Sequence, residues 1–370
     1  MEGETQRIAR LTPLTEVLGR VDATVGAVAS RRMAAARAVG RVLAEDVIGA
    51  AAVPANARAL RDGFAVVADA TSDASAYAPV SLMPPRRVDA GDVLPAGTDA
   101  VAPLDIVVER AGQFAVIAPV APGDGVLAAG MDIGAGTTLL RAGSIVRAAD
   151  AGALMAAGIA GVAVRELRIS VVPARPEHDA VVAAAVDLIG SALAAAGGVA
   201  RRGAGGLVLA AFGDQDSDAV IVIGGTGSGH NDTSVRALAT AGRVEVHGVA
   251  LTPGETAAFG MIGQRPVLIA PGRLDAVLAV WLTLGRHLLT RLSGRSEEPA
   301  GLPAVLARKH ASPLGLAEVV PVRVNGRQAD PIGSGYWPLS AILRVNGWIL
   351  VPAESEGYPA GAEVVLRPWP

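Results

Sequence analysis

The chain of 370 residues contains no cysteine, which removes disulfides, thiolate catalysis and cysteine-ligated zinc at once. Aromatic residues amount to only 3%, so any core must be filled by alanine, valine, leucine and isoleucine. Positive charge is not in excess: the formal net charge is −3, without the electrostatic footprint of a nucleic-acid binder. Charges or glycines interrupt every apolar run before it reaches bilayer length, and MEGETQRIARL at the N-terminus lacks a basic-then-apolar pattern. No membrane partner is therefore expected, and the cytoplasm is the expected location. The five histidines (178, 230, 247, 287 and 310) show no metal-ligand spacing of the HExxH kind. They read as structural or exposed, although His230 lies in a candidate ligand loop.

What is present points to a folded, turn-rich chain. Hydrophobic residues make up 51% and charged residues 18%, against disorder. Roughly two to four domains fit this length. With 45 glycines and 24 prolines, turns are frequent and many elements should be short.

Residues 14–47 carry apolar side chains at helical spacing in LTEVLGRVDATV and RRMAAARAVGRVLAEDV, which predicts helices up to Pro54. Residues 53–128 turn β-branched, with Pro/Gly turns between strand-like pieces such as VVERAGQFAVIAPV. A helix in DAGALMAAG and a strand in GVAVREL close a short mixed stretch. From residue 168 the pattern becomes α/β: a buried strand RISVV, a helix over 179–196, a possible strand LVLAAF, then AVIVI, VEVHGVAL, RPVLIAPG and the helix LDAVLAVWLTLGRHLLTRLSG. Such alternation predicts a parallel sheet with its ligand beyond the strand carboxyl ends. GRSEEPAG at 294–301 reads as a linker, and the remaining residues as short strands.

Within this pattern AVIVIGGTGSGHND, residues 219–232, stands out. A buried strand runs directly into Gly224, Gly225, Thr226, Gly227, Ser228 and Gly229, just before a helix-like TSVRALATAG. Such a junction leaves backbone N–H groups pointing at one spot, which suits a phosphate or another oxyanion. A tight turn needing positive φ is the plainer account, but four glycines in six residues exceed what a turn requires.

AVGRVLAEDV, ALRDGFAV, AGDVLPAGTDAV, GMDIGAGTTLL, LMAAGIAGVAV, GGTGSGHND, HGVALTPGETAAFG, APG and GSGYWPLSAILRVNGWILVP follow one another along nearly the whole chain. This ordered set resembles the molybdopterin molybdenumtransferase family, the MoeA proteins and the gephyrin E-domain. The resemblance implies a multidomain α/β plus β architecture. Its parts would be an elongated dimerisation domain (1–47 and 129–167), an inserted β-rich domain (48–128), a MogA/MoaB-like α/β molybdopterin-binding domain (168–295) and a C-terminal β-barrel (296–370). It also implies a homodimer with the site between subunits, a possible molybdoenzyme client, and a Mg²⁺-dependent reaction. In that reaction adenylated molybdopterin and molybdate are substrates and AMP is released.

The same resemblance assigns Asp62, Asp132 and Asp232 as catalytic residues and Asp62, Asp232 and Glu177 as metal ligands. It places the ligand on Gly224–Gly229, Pro253, Gly254, Pro271 and Gly272, and Arg273 joins these candidates through its own chemistry. Each has a plainer alternative. Asp232 could be a helix N-cap; Asp62 and Asp132 could be turn residues; the two Pro-Gly pairs could simply turn the chain. Glu177 sits in PARPEHD, where the neighbours of the family's acidic motif are lost.

Departures from the family concentrate where the chemistry should be. The family's Lys-Pro-Gly-Lys is Thr252-Pro253-Gly254-Glu255 here, and its Pro-Gly-Asn-Pro is Pro271-Gly272-Arg273-Leu274. Ala59 and Ala90 stand where a serine and a threonine are usual. At about 4 Å in a partly screened site a unit charge interaction is on the order of 4 kcal/mol, so replacing lysine by glutamate opposes oxyanion binding. Arg273 and Arg175 are new cations in matching loops, and the expectation is that they partly replace the lost lysines. The alternative to the enzyme is a carrier or scaffold that binds finished cofactor. An adenylyltransferase-like role suggested by GGTG would need a triphosphate site, for which no Walker-type lysine motif is present.

Overall fold

The computed structural model describes residues 6–83, 85–175, 179–203, 206–296 and 301–370. It divides into two compact units. One comprises residues up to Glu45, Ala142–Gly152 and Ala160–Pro370; the other comprises Asp46–Arg141 with Ala153–Ile159.

The smaller unit is built from short antiparallel strands. In one sheet Gly63–Val66 lies between Arg86–Val88 and Ala100–Pro103; in another Gln113–Val116 lies between Val107–Arg110 and Val80–Leu82. Neighbouring residues serve opposite cores, as the two-residue strand period requires. Ala65 and Val101 pack with Val88 and Leu94, while Val66, Ala100 and Ala102 pack with Ala68 and Val120. Gly63 of the RDGF segment is demanded by packing, because a Cβ there would stand 2.7 Å from Val101 Cγ1.

The larger unit holds a six-stranded central sheet. Its strands are β1 (Arg168–Pro173), β2 (Val199–Arg202), β3 (Ala219–Ile223), β4 (Arg243–His247), β5 (Ala258–Ile262) and β6 (Arg265–Ala270), in the order β2-β1-β3-β6-β5-β4. The first four in that order are parallel, but β5 and β4 add antiparallel. The all-parallel expectation is corrected to this extent.

The run AVIVI is buried throughout because both faces of β3 are covered. Ala219, Ile221 and Ile223 enter a core shared with the helices Ala180–Ala195 and Leu274–Val280. Val220 and Val222 face Phe212, Val235 and Leu238 on the opposite side. The final long helix is interrupted by a π turn, Trp281–Gly285, and ends at Gly294 with φ +62°, the left-handed residue that closes helices.

Two secondary-structure expectations fail. Residues 31–48 form no α-helix: apart from a 3₁₀ turn at Ala35–Arg37, Arg31–Ala34 and Val42–Leu43 are strands pairing with Gly161–Arg165, and Val47–Ile48 pairs with Thr138–Leu140. Helix propensity in RRMAAARAVG is overridden by strand pairing, and Gly40, at φ +81°, stops any helix from continuing. LVLAAF is not a strand but lies in the helix Val208–Gly213, whose Val208, Ala211 and Phe212 form a buried stripe at helical spacing. The sheet edge is instead VARR of β2, exposed at every position.

VEVHGVAL divides at Gly248, at φ +96°: β4 stays in the central sheet, whereas Val249–Thr252 joins a second sheet beside Ala317–Asn325. There Ala317–Asn325, Gln328–Pro331, Leu302–Leu306, Glu363–Pro368 and Gly347–Val351 pair in sequence, and the last returns to the first. This closes the five-stranded C-terminal barrel that the family resemblance implied. The expected linker at 294–301 lies partly outside the described residues.

Candidate functional site

Chain segments meet at the carboxyl ends of β1, β3 and β6. The ladder extends past the strands, with Ala174 N donating to Ile223 O at 2.9 Å and Gly224 N to Ala270 O at 2.8 Å. Gly272 lies beside Gly224, and a Cβ on it would make ordinary contact with the Gly224 Cα at 3.7 Å. Gly224 and Gly225 have φ of +96° and +74°, where side-chain-bearing residues are strained.

The glycine loop has a marked polarity. Its carbonyls are held from behind: Gly224 O by Ser234 Oγ (3.0 Å), Gly225 O by Ser234 N (3.1 Å) and Gln6 Nε2 (2.9 Å), Thr226 O by His247 Nε2 (3.0 Å), and Gly227 O by Gln6 Nε2 (2.8 Å). A trans peptide is planar, so a fixed carbonyl also fixes the direction of the following N–H. The amides thereby aimed belong to Gly225, Thr226, Gly227 and Ser228, and none of them has a protein acceptor among the described residues. Successive amides left without an acceptor are what a backbone anion nest requires. Since carbonyl oxygens only accept, the Gln6 group facing them must be its NH₂, and His247 must carry its proton on Nε2.

The Thr226 side chain is a strut rather than a ligand contact: it is buried and shares a 2.7 Å hydrogen bond with Thr256 Oγ1. That bond ties the loop to the turn holding Pro253 and Gly254. Gly254 has φ +132°, and a Cβ on it would stand 3.0 Å from Val280.

Asp232 is not the helix cap. The helix Ser234–Ala241 starts after Thr233 without a side-chain cap. The carboxylate instead turns back, its Oδ2 accepting Gly229 N at 2.9 Å. Its other oxygen faces Arg175 at 3.8 Å. A Cβ on Gly227 or Gly229 would stand 2.8 or 2.9 Å from Oδ2, so both glycines make room for this carboxylate.

Arg273 is engaged rather than free. It bonds Asp275 through Nε (3.1 Å) and the terminal nitrogen (2.7 Å) and lies over the Tyr336 ring. The hydrogen bond to Asp275 raises its pKa above the ordinary arginine value, and the nearby Glu255 carboxylate acts in the same direction. Thr252 is buried, and Glu255 accepts its neighbour Gly254 N at 3.1 Å. Around this corner the two arginines 175 and 273 meet the carboxylates of Asp232, Asp275 and Glu255. The expectation that Arg273 supplies a new cation therefore needs qualification, since its charge is largely answered within the protein.

The remaining acidic candidates are placed differently. Asp62 and Asp132 belong to the smaller unit, both exposed. Asp62 Oδ1 accepts Ala90 N at 2.8 Å, whereas the Asp132 backbone N–H donates to Val53 O at 3.0 Å. Glu177 lies outside the described residues. Among the described residues no three His, Asp or Glu side chains gather as a cation site.

Gln6, Ser234, His247 and Thr256 escape sequence reasoning as parts of this site. Gln6 reaches it from 219 residues away, and no local pattern encodes such a contact.

Comparison with known proteins bears on the family and the fold. Residues 12–158 match the family described as "MoeA N-terminal region (domain I and II)", and residues 206–291 match "Probable molybdopterin binding domain". The chain is 27% identical over 382 residues to molybdopterin molybdenumtransferase 2 of Mycobacterium tuberculosis, covering 90% of this chain and 93% of that protein. It is 28% identical over 355 residues to molybdopterin molybdenumtransferase 1 of the same organism, covering 81% and 82%. A crystal structure of the molybdopterin biosynthesis MoeA protein of Pyrococcus horikoshii superposes with a TM-score of 0.80 at 26% identity, covering 97% of this chain and 99% of that one. With both family regions in order, relatives aligned over most of their length and a shared fold, the chain belongs to the MoeA family of molybdopterin molybdenumtransferases.

Proposed function

We propose that the protein acts in molybdenum cofactor biosynthesis, inserting molybdate into adenylated molybdopterin with release of AMP. The observation that supports this reading is the run of amides 225–228, each aimed by a carbonyl held from behind. In this reading phosphate oxygens accept these amides, which need no reorganisation on binding. Asp232 bounds the far end of the loop. Asp62 and Asp132 would serve as the further acidic residues, and homodimerisation and a molybdoenzyme client belong to the same proposal.

Magnesium typically takes one or two carboxylates together with substrate phosphate oxygens. The described residues alone do not form a site for it. Purified protein given adenylated molybdopterin, molybdate and Mg²⁺ is expected to release AMP; failure to bind the adenylate at all would sink the reading.

A second reading, a carrier that binds cofactor without turnover, draws support from the charge around Arg273. With Asp275 and Glu255 beside Arg273 and Asp232 facing Arg175, the two arginines offer free molybdate little uncompensated positive charge. Stable binding of the adenylate without AMP release identifies the carrier.

A further inference from the structure

We propose that Gln6 is a positioning residue for the ligand loop: the N-terminal segment supplies the donor that aims the loop amides, at a cost to stability. The proposal rests on reading the loop as an anion site. Both hydrogens of the Gln6 NH₂ are directed to loop carbonyls, Gly225 O at 2.9 Å and Gly227 O at 2.8 Å. Through peptide planarity these bonds direct the amides of Thr226 and Ser228. The first plane is also held by Ser234 N, but Gln6 is the described donor to Gly227 O. Glycine-rich peptide planes rotate easily. Without Gln6, the plane joining Gly227 and Ser228 can turn a carbonyl toward the anion in place of an amide.

Gln6 is only 8% exposed, and among the described residues its buried Oε1 has no hydrogen-bond partner. An acceptor sealed from water without a donor destabilises the fold. A methionine of similar length would fill the same space with no orphan acceptor. Gln6 is thus the choice of a loop that needs donors, made against the preference of the core.

The test compares wild type, Gln6→Met and Gln6→Glu in the full chain, titrated with AMP by calorimetry and melted without ligand. Gln6→Met is expected to lower AMP affinity about tenfold, the effect of one lost hydrogen bond, while its Tm stays level or rises. A structural brace would lose Tm and affinity together, and that result overturns the proposal. Unchanged affinity in Gln6→Met overturns it as well. Gln6→Glu should bind more weakly than Gln6→Met at neutral pH, because its carboxylate repels carbonyls and anion alike. It should recover relative to wild type as acid restores an O–H donor. Equal losses in both variants at every pH overturn the donor role. If wild type binds neither AMP nor adenylated molybdopterin, the anion reading of the loop fails first and takes this proposal with it.

Discussion

The guanidinium of Arg273 grips the carboxylate of Asp275 along two edges, at 3.1 and 2.7 Å, although Asp275 is 2% exposed and Arg273 58% exposed in its side chain. Asp275 also accepts Trp337 N at 3.1 Å. The arginine is therefore the partner of a buried anion before it is the partner of a ligand.

Replacing Arg273 by alanine leaves Asp275 with backbone donors only. Unpairing a fully buried ion pair costs several kcal/mol; with the arginine half in water, about 1–2 kcal/mol is expected. Urea unfolding checks this. AMP affinity should fall less than about threefold, since the arginine's donors are spent on Asp275 rather than on a ligand and the carboxylate left behind is buried and still accepts two backbone N–H groups. A much larger loss would restore Arg273 as a ligand cation.

Glu255→Lys reverses a charge in the turn tied to the glycine loop through Thr226 and Thr256. Even strongly screened, a swing on the order of a few kcal/mol is available. Molybdate affinity by equilibrium dialysis should rise at least about tenfold, more so with Thr252→Lys added. No change would mean that molybdate approaches elsewhere.

Gly227→Ala places a methyl 2.8 Å from Asp232 Oδ2 and must displace that carboxylate from the Gly229 amide. A drop in AMP affinity of about tenfold or more is expected by titration, with a stability loss of about 1 kcal/mol. Gly225→Ala should be worse, because its φ is +74° and the new methyl would collide with Ser234 Oγ. An alanine at 227 with wild-type affinity would remove Asp232 from the site.

The barrel should be acid-sensitive at Glu318. Burial pushes this carboxyl upward, but His310 and Ser334, donating at 2.9 and 2.6 Å, hold it below the ordinary glutamate value. A depressed native pKa stabilises the fold above the unfolded value near 4.3, and that contribution fades as pH falls through the lower native one. Glu318→Gln should flatten this acid limb in melts between about pH 5 and 3. An unchanged limb would show that Glu318 is not the group titrating there.

Much of the α/β domain was legible in the chain itself. AVIVI had to be buried on both faces, and its break into glycines placed the loop at a strand end. The Ala-rich helix over 180–195 and the strand RISVV emerged where periodicity put them. RRMAAARAVG and LVLAAF were misread for one shared reason. Short apolar segments fit helix and strand alike, and the partner that decides is remote: Gly161–Arg165 for the first, the face of β3 for the second.

The order of family motifs and the glycines needed for positive φ are local properties, so sequence alone determined the family and the place of its glycine loop. Tertiary structure decided which way that loop faces. The direction of a peptide plane depends on what binds its carbonyl, and here the donors come from Gln6, Ser234 and His247. The folded chain likewise paired Arg273 with Asp275 and turned Asp232 back onto Gly229, because charges choose partners by distance in space rather than along the chain.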